Sequence, residues 1–421
     1  MFNLILRIWP LFFGYAIICL GHGLQGTLIG VRAVIENFSF IETGIIITGY
    51  YVGYLSGSIS IPIFLKKVGH IRVFAALASL ASIAILLHTV FILPYLWFFI
   101  RILTGISIAG IFVIMESWLN EKADNRTRGG ILSIYMIITF TFLGLGNFLL
   151  NLSDPAQVDL FILVSVLLSF SLIPILLTSS NQPNFKNTKR LTFIELYNLS
   201  PLGFVGSLMI GLSHSALFGL GAVYAKSRGL DNFQVSIFLV IVTVFGSIFQ
   251  WPIGYVSDRI DRRIILIITT LIAAGICILI IGSSFISITL LFILLALYAG
   301  MSLPTYSLTI AHTNDYLQPE QIVAASASIA VLVGLGSVFG PIIASYFMTI
   351  FGSNGFFVYL FFIHLFLGLF GIYRMSIRTK PSDIESQYVP LPRTITPTGM
   401  ELNPKAEIEE DYLGKESFFD K

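Results

Sequence analysis

The sequence predicts an all-α integral membrane protein, with twelve transmembrane helices arranged as two pseudo-symmetric six-helix bundles, and three observations carry that expectation. Hydrophobic residues make up 56% of the 421-residue chain and charged residues only 11%, against about 25% charged in a soluble domain. Apolar runs of membrane-spanning length occur twelve times. The basic residues that remain gather in alternate connecting segments.

Lipid favours apolar side chains and penalises unpaired charge, so a spanning helix needs about 20 mostly apolar residues. Runs of that kind cover residues 8–31, 41–65, 73–93, 95–119, 131–152 and 159–178, then 201–225, 233–256, 264–283, 286–311, 321–349 and 354–374. The first follows Arg7 and superficially resembles a secretory signal. It is long and lacks a small-residue cleavage site, so it is expected to stay as the first helix. The third and fourth runs nearly merge at Pro94, and the ninth and tenth at Ser284, but about 20 residues on each side favour separate helices.

Residues 179–200 contain Pro183, Lys186, Lys189 and Arg190 and read as a cytoplasmic connecting loop with room for a short surface helix. This divides the chain into a first bundle at 1–178 and a second at 201–376. Residues 377–421 are rich in proline and then acidic, through Glu407, Glu409, Glu410 and Asp411. Such a composition is expected to leave a disordered cytoplasmic tail.

Lys and Arg are retained on the cytoplasmic side of a membrane. With the N-terminus inside, 20 of the 24 basic residues fall in cytoplasmic segments; Arg32, Lys226 and Arg228 fall outside, and Arg101 lies within a span. Both termini are therefore expected in the cytoplasm, which requires an even number of crossings. Cys19 and Cys277 each sit in an apolar run and are expected to be free, buried thiols. The chain carries no phosphate-binding loop, no nucleophile elbow and no metal-spaced Cys/His cluster. The expectation is a protein that is not an enzyme, with no cofactor, no metal and no nucleic-acid partner.

A constant offset of 192 residues relates the halves: Gly14 falls on Gly206, Leu20 on Leu212, His22 on His214, Ile61 on Ile253 and Lys66 on Asp258. The same shift superposes the first helix on the seventh, the second on the eighth, and the basic loops that follow. Two such halves would bound a central cavity.

The segment Gly254-Tyr-Val-Ser-Asp258-Arg259-Ile-Asp261-Arg262-Arg263 resembles the loop signature of the major facilitator superfamily, with Asp261 where that family has glycine. Its first-half counterpart, Pro62-Ile-Phe-Leu-Lys66-Lys67-Val-Gly69-His-Ile-Arg72, keeps the Gly69 and Arg72 positions and replaces the aspartate by Lys66. Arg101-x-x-x-Gly105-x-x-x-Ala109 is similar to the family's helix-4 signature. Gln250-Trp251-Pro252-Ile253-Gly254, Glu116-Ser117 and Gly334-x-Gly336-Ser-x-x-Gly340-Pro341 look like the YcaD-like bacterial branch. The resemblance implies the major facilitator fold, a bacterial inner membrane, and a role in moving a small solute.

Candidate residues follow from charge and depth. The loop signature reads as a latch: helix ends carry partial charges, so Asp258 with Arg259, Arg262 and Arg263 can brace neighbouring helices in one gate state, and Lys66, Gly69 and Arg72 mark the weaker first-half equivalent. Arg101 is a permanent cation inside a span and needs a partner, a wet cavity or a route to the headgroups; it is a candidate contact for an anionic substrate group. Glu116 lies fifteen residues on in the same helix, about 22 Å away, and is a candidate proton carrier. His22 and His214 occupy equivalent places on helices 1 and 7, where a titrating imidazole would line the path, with Gln25 on the His22 face. Tyr298 and Tyr306 are candidates to shape the pocket.

These features together predict a monomeric secondary active transporter that moves a small molecule by alternating access, with proton coupling. A multidrug/proton antiporter, an uncoupled facilitator and a transporter-like membrane sensor are the alternatives.

Overall fold

A computed structural model describes residues 2–124, 126–176, 190–283, 287–317, 321–377 and 388–404. Helices α1 (Phe2–Ile35), α2 (Phe40–Val68), α3 (His70–Val90), α4 (Pro94–Lys122) and α5 (Arg128–Phe148) lead to α6 (Asp159–Phe170) and α7 (Leu172–Leu176). The short α8 (Phe193–Leu199) lies in the connecting segment. The second half holds α9 (Pro201–Ser227), α10 (Asn232–Ile248), α11 (Gln250–Ser257), α12 (Arg262–Ser283), α13 (Ile288–Ser302), α14 (Thr305–Asn314), α15 (Ile322–Phe351) and α16 (Gly355–Ile377).

Among the described residues these make twelve crossings, because α6/α7, α10/α11 and α13/α14 are each one span interrupted by a break. Proline places the breaks. A proline ring displaces the carbonyl four residues before it, and α6 ends at Phe170, four before Pro174, while α10 ends at Ile248, four before Pro252. Pro304 sits in the two-residue break between α13 and α14. The apolar stretch from Ile322 to Ile377 is continuous in hydropathy, but Gly352 adopts φ +65° and turns it into two crossings.

Capping boxes start three helices. Ser39 accepts from the Glu42 amide while Glu42 bonds back at 2.8 Å, and the pairs Thr192/Glu195 and Asp231/Gln234 repeat the arrangement. The outer surface carries large apolar side chains, among them Trp251 at 78% and Ile137 at 65% exposure, a covering that lipid rather than water solvates.

The 192-residue offset holds at helix ends: it carries Phe40 onto Asn232 and His70 onto Arg262, the first residues of α2 and α10 and of α3 and α12, and Lys122 onto Asn314, the last of α4 and α14. Packing repeats as well. In the first half α1 lies on α5 and α6, α2 on α4, and α3 on α4 and α6/α7; in the second, α9 lies on α15 and α16, α10 on α13, and α12 on α13 and α16. Contacts between the halves exchange under the same symmetry, α2 with α15 and α5 with α10, and α1 meets its own equivalent α9.

Helix α2 approaches α4 closely enough to require glycine: a Cβ on Gly105 would stand 2.7 Å from the Tyr54 backbone nitrogen. Small residues permit such backbone contact, which drives helix association where lipid removes the hydrophobic term. Cys19 and Cys277 are buried and free, as expected.

One expectation is corrected. Residues 388–404, read from composition as part of a disordered tail, are built into the protein, with Leu391, Ile395, Met400 and Leu402 each no more than 3% exposed. Their few apolar side chains are spaced among prolines and threonines, so average composition hides them. Residues 378–387 and 405–421 lie outside the described set.

Candidate functional site

For clarity, the face of the bundle on which α1 begins is the terminal face, and the other the opposite face. On the opposite face the halves meet directly. The Ser236 hydroxyl donates to the Asn147 carbonyl at 2.8 Å, Asn151 Nδ2 donates to Ser236 Oγ at 3.0 Å, and the rings of Phe148 and Phe233 lie 6.1 Å apart. Where α1 passes α9, a Cβ on Gly30 would come within 3.1 Å of the Ala222 side chain.

Below this closure a central cavity of about 110 Å³ opens between the halves. Its first-half wall includes His22 and Thr27 from α1, Tyr50 from α2 and Arg101 from α4; the second half supplies His214, Phe218, Gln250 and Tyr306. The terminal side is floored by Leu391, Pro392, Arg393 and Thr394 of the tail.

Arg101 is 3% exposed, and its guanidinium carbon lies 4.5 Å from the Tyr50 ring centroid, a cation–π stack. Nε and Nη1 are buried without a hydrogen-bond partner among the described residues. A buried cation with free donors costs energy until an acceptor arrives. His22 Nε2 lies 3.1 Å from the Tyr50 hydroxyl, and Gln25, one turn on, is fully buried beside the imidazole. Gln25 is absent from the cavity wall.

In the second half, His214 Nε2 meets the Ser302 carbonyl at 3.2 Å. The carbonyl only accepts, which favours the proton on Nε2, where the Ser302 hydroxyl also lies at 3.4 Å; Nδ1 has no hydrogen-bond partner among the described residues. Tyr306 reaches the cavity, as the sequence suggested. Tyr298 does not: it is fully buried, its hydroxyl lies 3.0 Å from His364 Nε2, and its place as a pocket residue is corrected to a helix-bridging one.

Glu116 lies outside the cavity wall, fully buried near the terminal end of α4. The Tyr135 hydroxyl donates to Oε1 at 2.8 Å, the Thr396 amide reaches both oxygens at 3.2 Å, and the Thr396 hydroxyl donates to Oε2. The separation from Arg101 excludes a direct pair, as the helical spacing implied.

The loop signature forms an ion cluster around the buried Arg262, with Asp258 on its exposed side. Arg262, 1% exposed, donates to Asp258 Oδ1 at 2.7 Å and also to Asp315, at the end of α14. Asp261, which stands in the usual glycine position, pairs with Arg263 at 2.6 Å. Partial burial pushes the Asp261 carboxyl up, but the hydrogen bonds and charge of Arg263 outweigh it and hold the group below the usual carboxylate range. Arg259 turns outward, its guanidinium 3.5 Å from the Tyr255 ring centroid. Lys66 and Arg72 are exposed and make no ion pair among the described residues, and Gly69 takes φ +90° at the α2–α3 turn. Gly254 faces the Tyr388 ring of the tail.

Sequence reasoning missed three things. Asp315 follows no spacing rule relative to Arg262, since packing of α12 on α14 joins them. The Thr27–Asn147 bond, 2.5 Å, joins α1 to α5 across the cavity wall. The tail's polar contacts leave no sequence signal at all.

The sequence profile described as Major Facilitator Superfamily matches residues 11–312 and, in a second register, 203–405. The chain is 24% identical over 349 residues to an uncharacterized MFS-type transporter, YcaD, of Escherichia fergusonii, covering 82% of this chain and 90% of the relative. Among solved structures, the nucleoside transporter NupG superposes with a TM-score of 0.75 at 12% identity, covering 88% of this chain and all of the other. A bacterial homologue of the human lysosomal transporter Spinster, in an inward-facing, unoccupied conformation, superposes with a TM-score of 0.69 at 13% identity over 88% and 95% of the two chains.

Proposed function

The chain belongs to the major facilitator superfamily of transporters, and we propose that it moves a small polar solute bearing an anionic group by alternating access, coupled to protons. The observation that carries the reading is Arg101: a cation at the wall of a central cavity with two donor nitrogens free. A solute carboxylate or phosphate at this wall would bring a counter-charge and acceptors to the guanidinium. His22, Gln250 and Tyr306 also line the cavity.

Alternating access draws support from the exchange of contacts between halves and from the direct closure on the opposite face. The basic-residue count supports a cytoplasmic terminal face and with it an inward-facing arrangement of the halves, and the bacterial relative supports an inner-membrane location. The cluster of Arg262 with Asp258 and Asp315 is the latch of the inner gate, and among the described residues it is found in the second half alone. Glu116 is the proton carrier: a carboxylate inside the bundle exchanges its proton only when its surroundings change during the cycle.

The test is flux in proteoliposomes with a panel of anionic, neutral and cationic metabolites, with and without a pH gradient. The reading expects an anionic solute to move, faster with the gradient, and Arg101→Gln to stop it. Flux indifferent to the gradient would leave an uncoupled facilitator, and flux of cations alone would remove the role given to Arg101.

A further inference from the structure

We propose that the groove between the halves on the terminal face is a peptide-binding site, and that its resident ligand is the chain's own segment 388–404, which stoppers the cavity. The stoppering part rests on the transport reading; the binding part does not.

The groove recognises the tail as a peptide. The Tyr388 amide donates to Asp258 at 2.7 Å and the Leu391 amide to Ser307 Oγ at 3.0 Å. The Tyr54 hydroxyl donates to the Thr394 carbonyl at 2.5 Å, and Asn120 Nδ2 to the Thr398 carbonyl at 2.9 Å. With the Thr396 amide on Glu116, five backbone groups in succession are read by side chains of the bundle. Tyr54, Asn120 and Glu116 belong to the first half, Ser307 and Asp258 to the second, so the segment bridges both.

Side chains fit as well. Leu391, Ile395, Met400 and Leu402 are buried, and Arg393 lies 3.6 Å from the Phe218 ring centroid, at the cavity floor. Gly399 packs so tightly that a Cβ there would stand 2.5 Å from Glu116 Cδ. Only a residue without a side chain docks at that point.

The consequence for transport is mechanical. Closing the terminal face requires the halves to approach, and a segment hydrogen-bonded to both halves occupies the space they would close. Covalent attachment holds the tail at an effective concentration of order mM, so even a weak intrinsic affinity keeps it docked. Release requires a competing event, such as a change at Glu116 or at the tail itself.

The experiment uses the full-length chain. Asn120→Cys and Thr398→Cys are combined and joined by a short, reducible thiol cross-linker, with the buried Cys19 and Cys277 as internal controls. We expect cross-linking in native membranes, loss of flux in the cross-linked protein, and return of flux on reduction. Separately, Gly399→Leu, a change confined to the tail, should abolish cross-linking and raise flux several-fold while the thermal melt of the bundle is retained.

No cross-link in the full chain overturns the site. Cross-linked protein with undiminished flux overturns the stopper, as does Gly399→Leu protein that loses the cross-link without gaining flux. A protein that cross-links as expected yet moves no solute in any variant sustains the peptide site and instead sinks the transport reading.

Discussion

Thr396 and Glu116, 280 residues apart in the chain, share a buried hydrogen-bond cluster in which the threonine amide and hydroxyl and the Tyr135 hydroxyl all donate to one carboxylate. The candidate proton carrier and the tail are thus one structural unit. Under the proposed proton coupling, a group whose oxygens are held by the tail would exchange protons with the cavity only once the tail has moved, tying coupling to release.

Glu116→Gln replaces one of two acceptor oxygens by a donor, so the Thr396 amide, the Thr396 hydroxyl and the Tyr135 hydroxyl can no longer all be satisfied. Leaving a buried donor unsatisfied costs about 1–3 kcal/mol, so tail occupancy should fall, read as a drop of about tenfold or more in the cross-linking rate between positions 120 and 398. The same variant should lose the response of flux to a pH gradient.

Arg101→Gln removes the charge and the planar donor pair while keeping much of the side-chain length. Hydrogen bonds to a charged group contribute about 1.5–3 kcal/mol, so affinity for an anionic solute should fall by roughly 10- to 150-fold in equilibrium binding. Arg101→Lys, which keeps charge but not the fork, should fall between the two.

Removing one member of a buried ion pair costs about 3–5 kcal/mol. Arg262→Ala removes the guanidinium that pairs with the buried Asp315 carboxylate, 5% exposed, and should lower the melting temperature in detergent clearly more than Arg259→Ala, whose guanidinium lies on the surface against Tyr255.

The pH dependence of the neighbouring pair has a definite sign. Asp261 titrates below its unfolded value when folded, so its pairing with Arg263 stabilises fully above about pH 4, the unfolded aspartate value, and is lost as pH falls through the depressed folded value. Melting temperatures of wild type and Asp261→Asn should differ at neutral pH and converge in acid.

Gly105→Val forces a Cβ against the backbone of α2, where nothing flexible can give way. Overpacking of this kind costs about 1–3 kcal/mol, and the thermal melt should fall accordingly. Gly275→Ala, where nothing lies within 4 Å of an added Cβ, should leave the melt unchanged or slightly raised.

Much of the fold was legible because lipid imposes a single rule on every span. Run length marked the helices, the 192-residue offset paired α1 with α9 and α2 with α10, and a charge in an apolar run exposed Arg101. The site was legible only where a residue violates its surroundings. His22, His214 and Tyr306 reach the cavity because α1, α9 and α14 line it, whereas Tyr298, in α13 ahead of the break at Pro304, faces His364 instead. Asp315 as the partner of Arg262 depends on helix packing that no periodicity encodes. The docking of residues 388–404 depends on single hydrogen bonds to a groove that exists only once both halves are assembled.

The most direct test of alternating access is a pair of spin-label distances in the lipid-embedded protein, one between positions 152 and 233 on the opposite face and one between 121 and 260 on the terminal face, with and without solute and a pH gradient. The account predicts that the first distance lengthens as the second shortens. Two distances that stay fixed under every condition, or that change in the same sense, would contradict it.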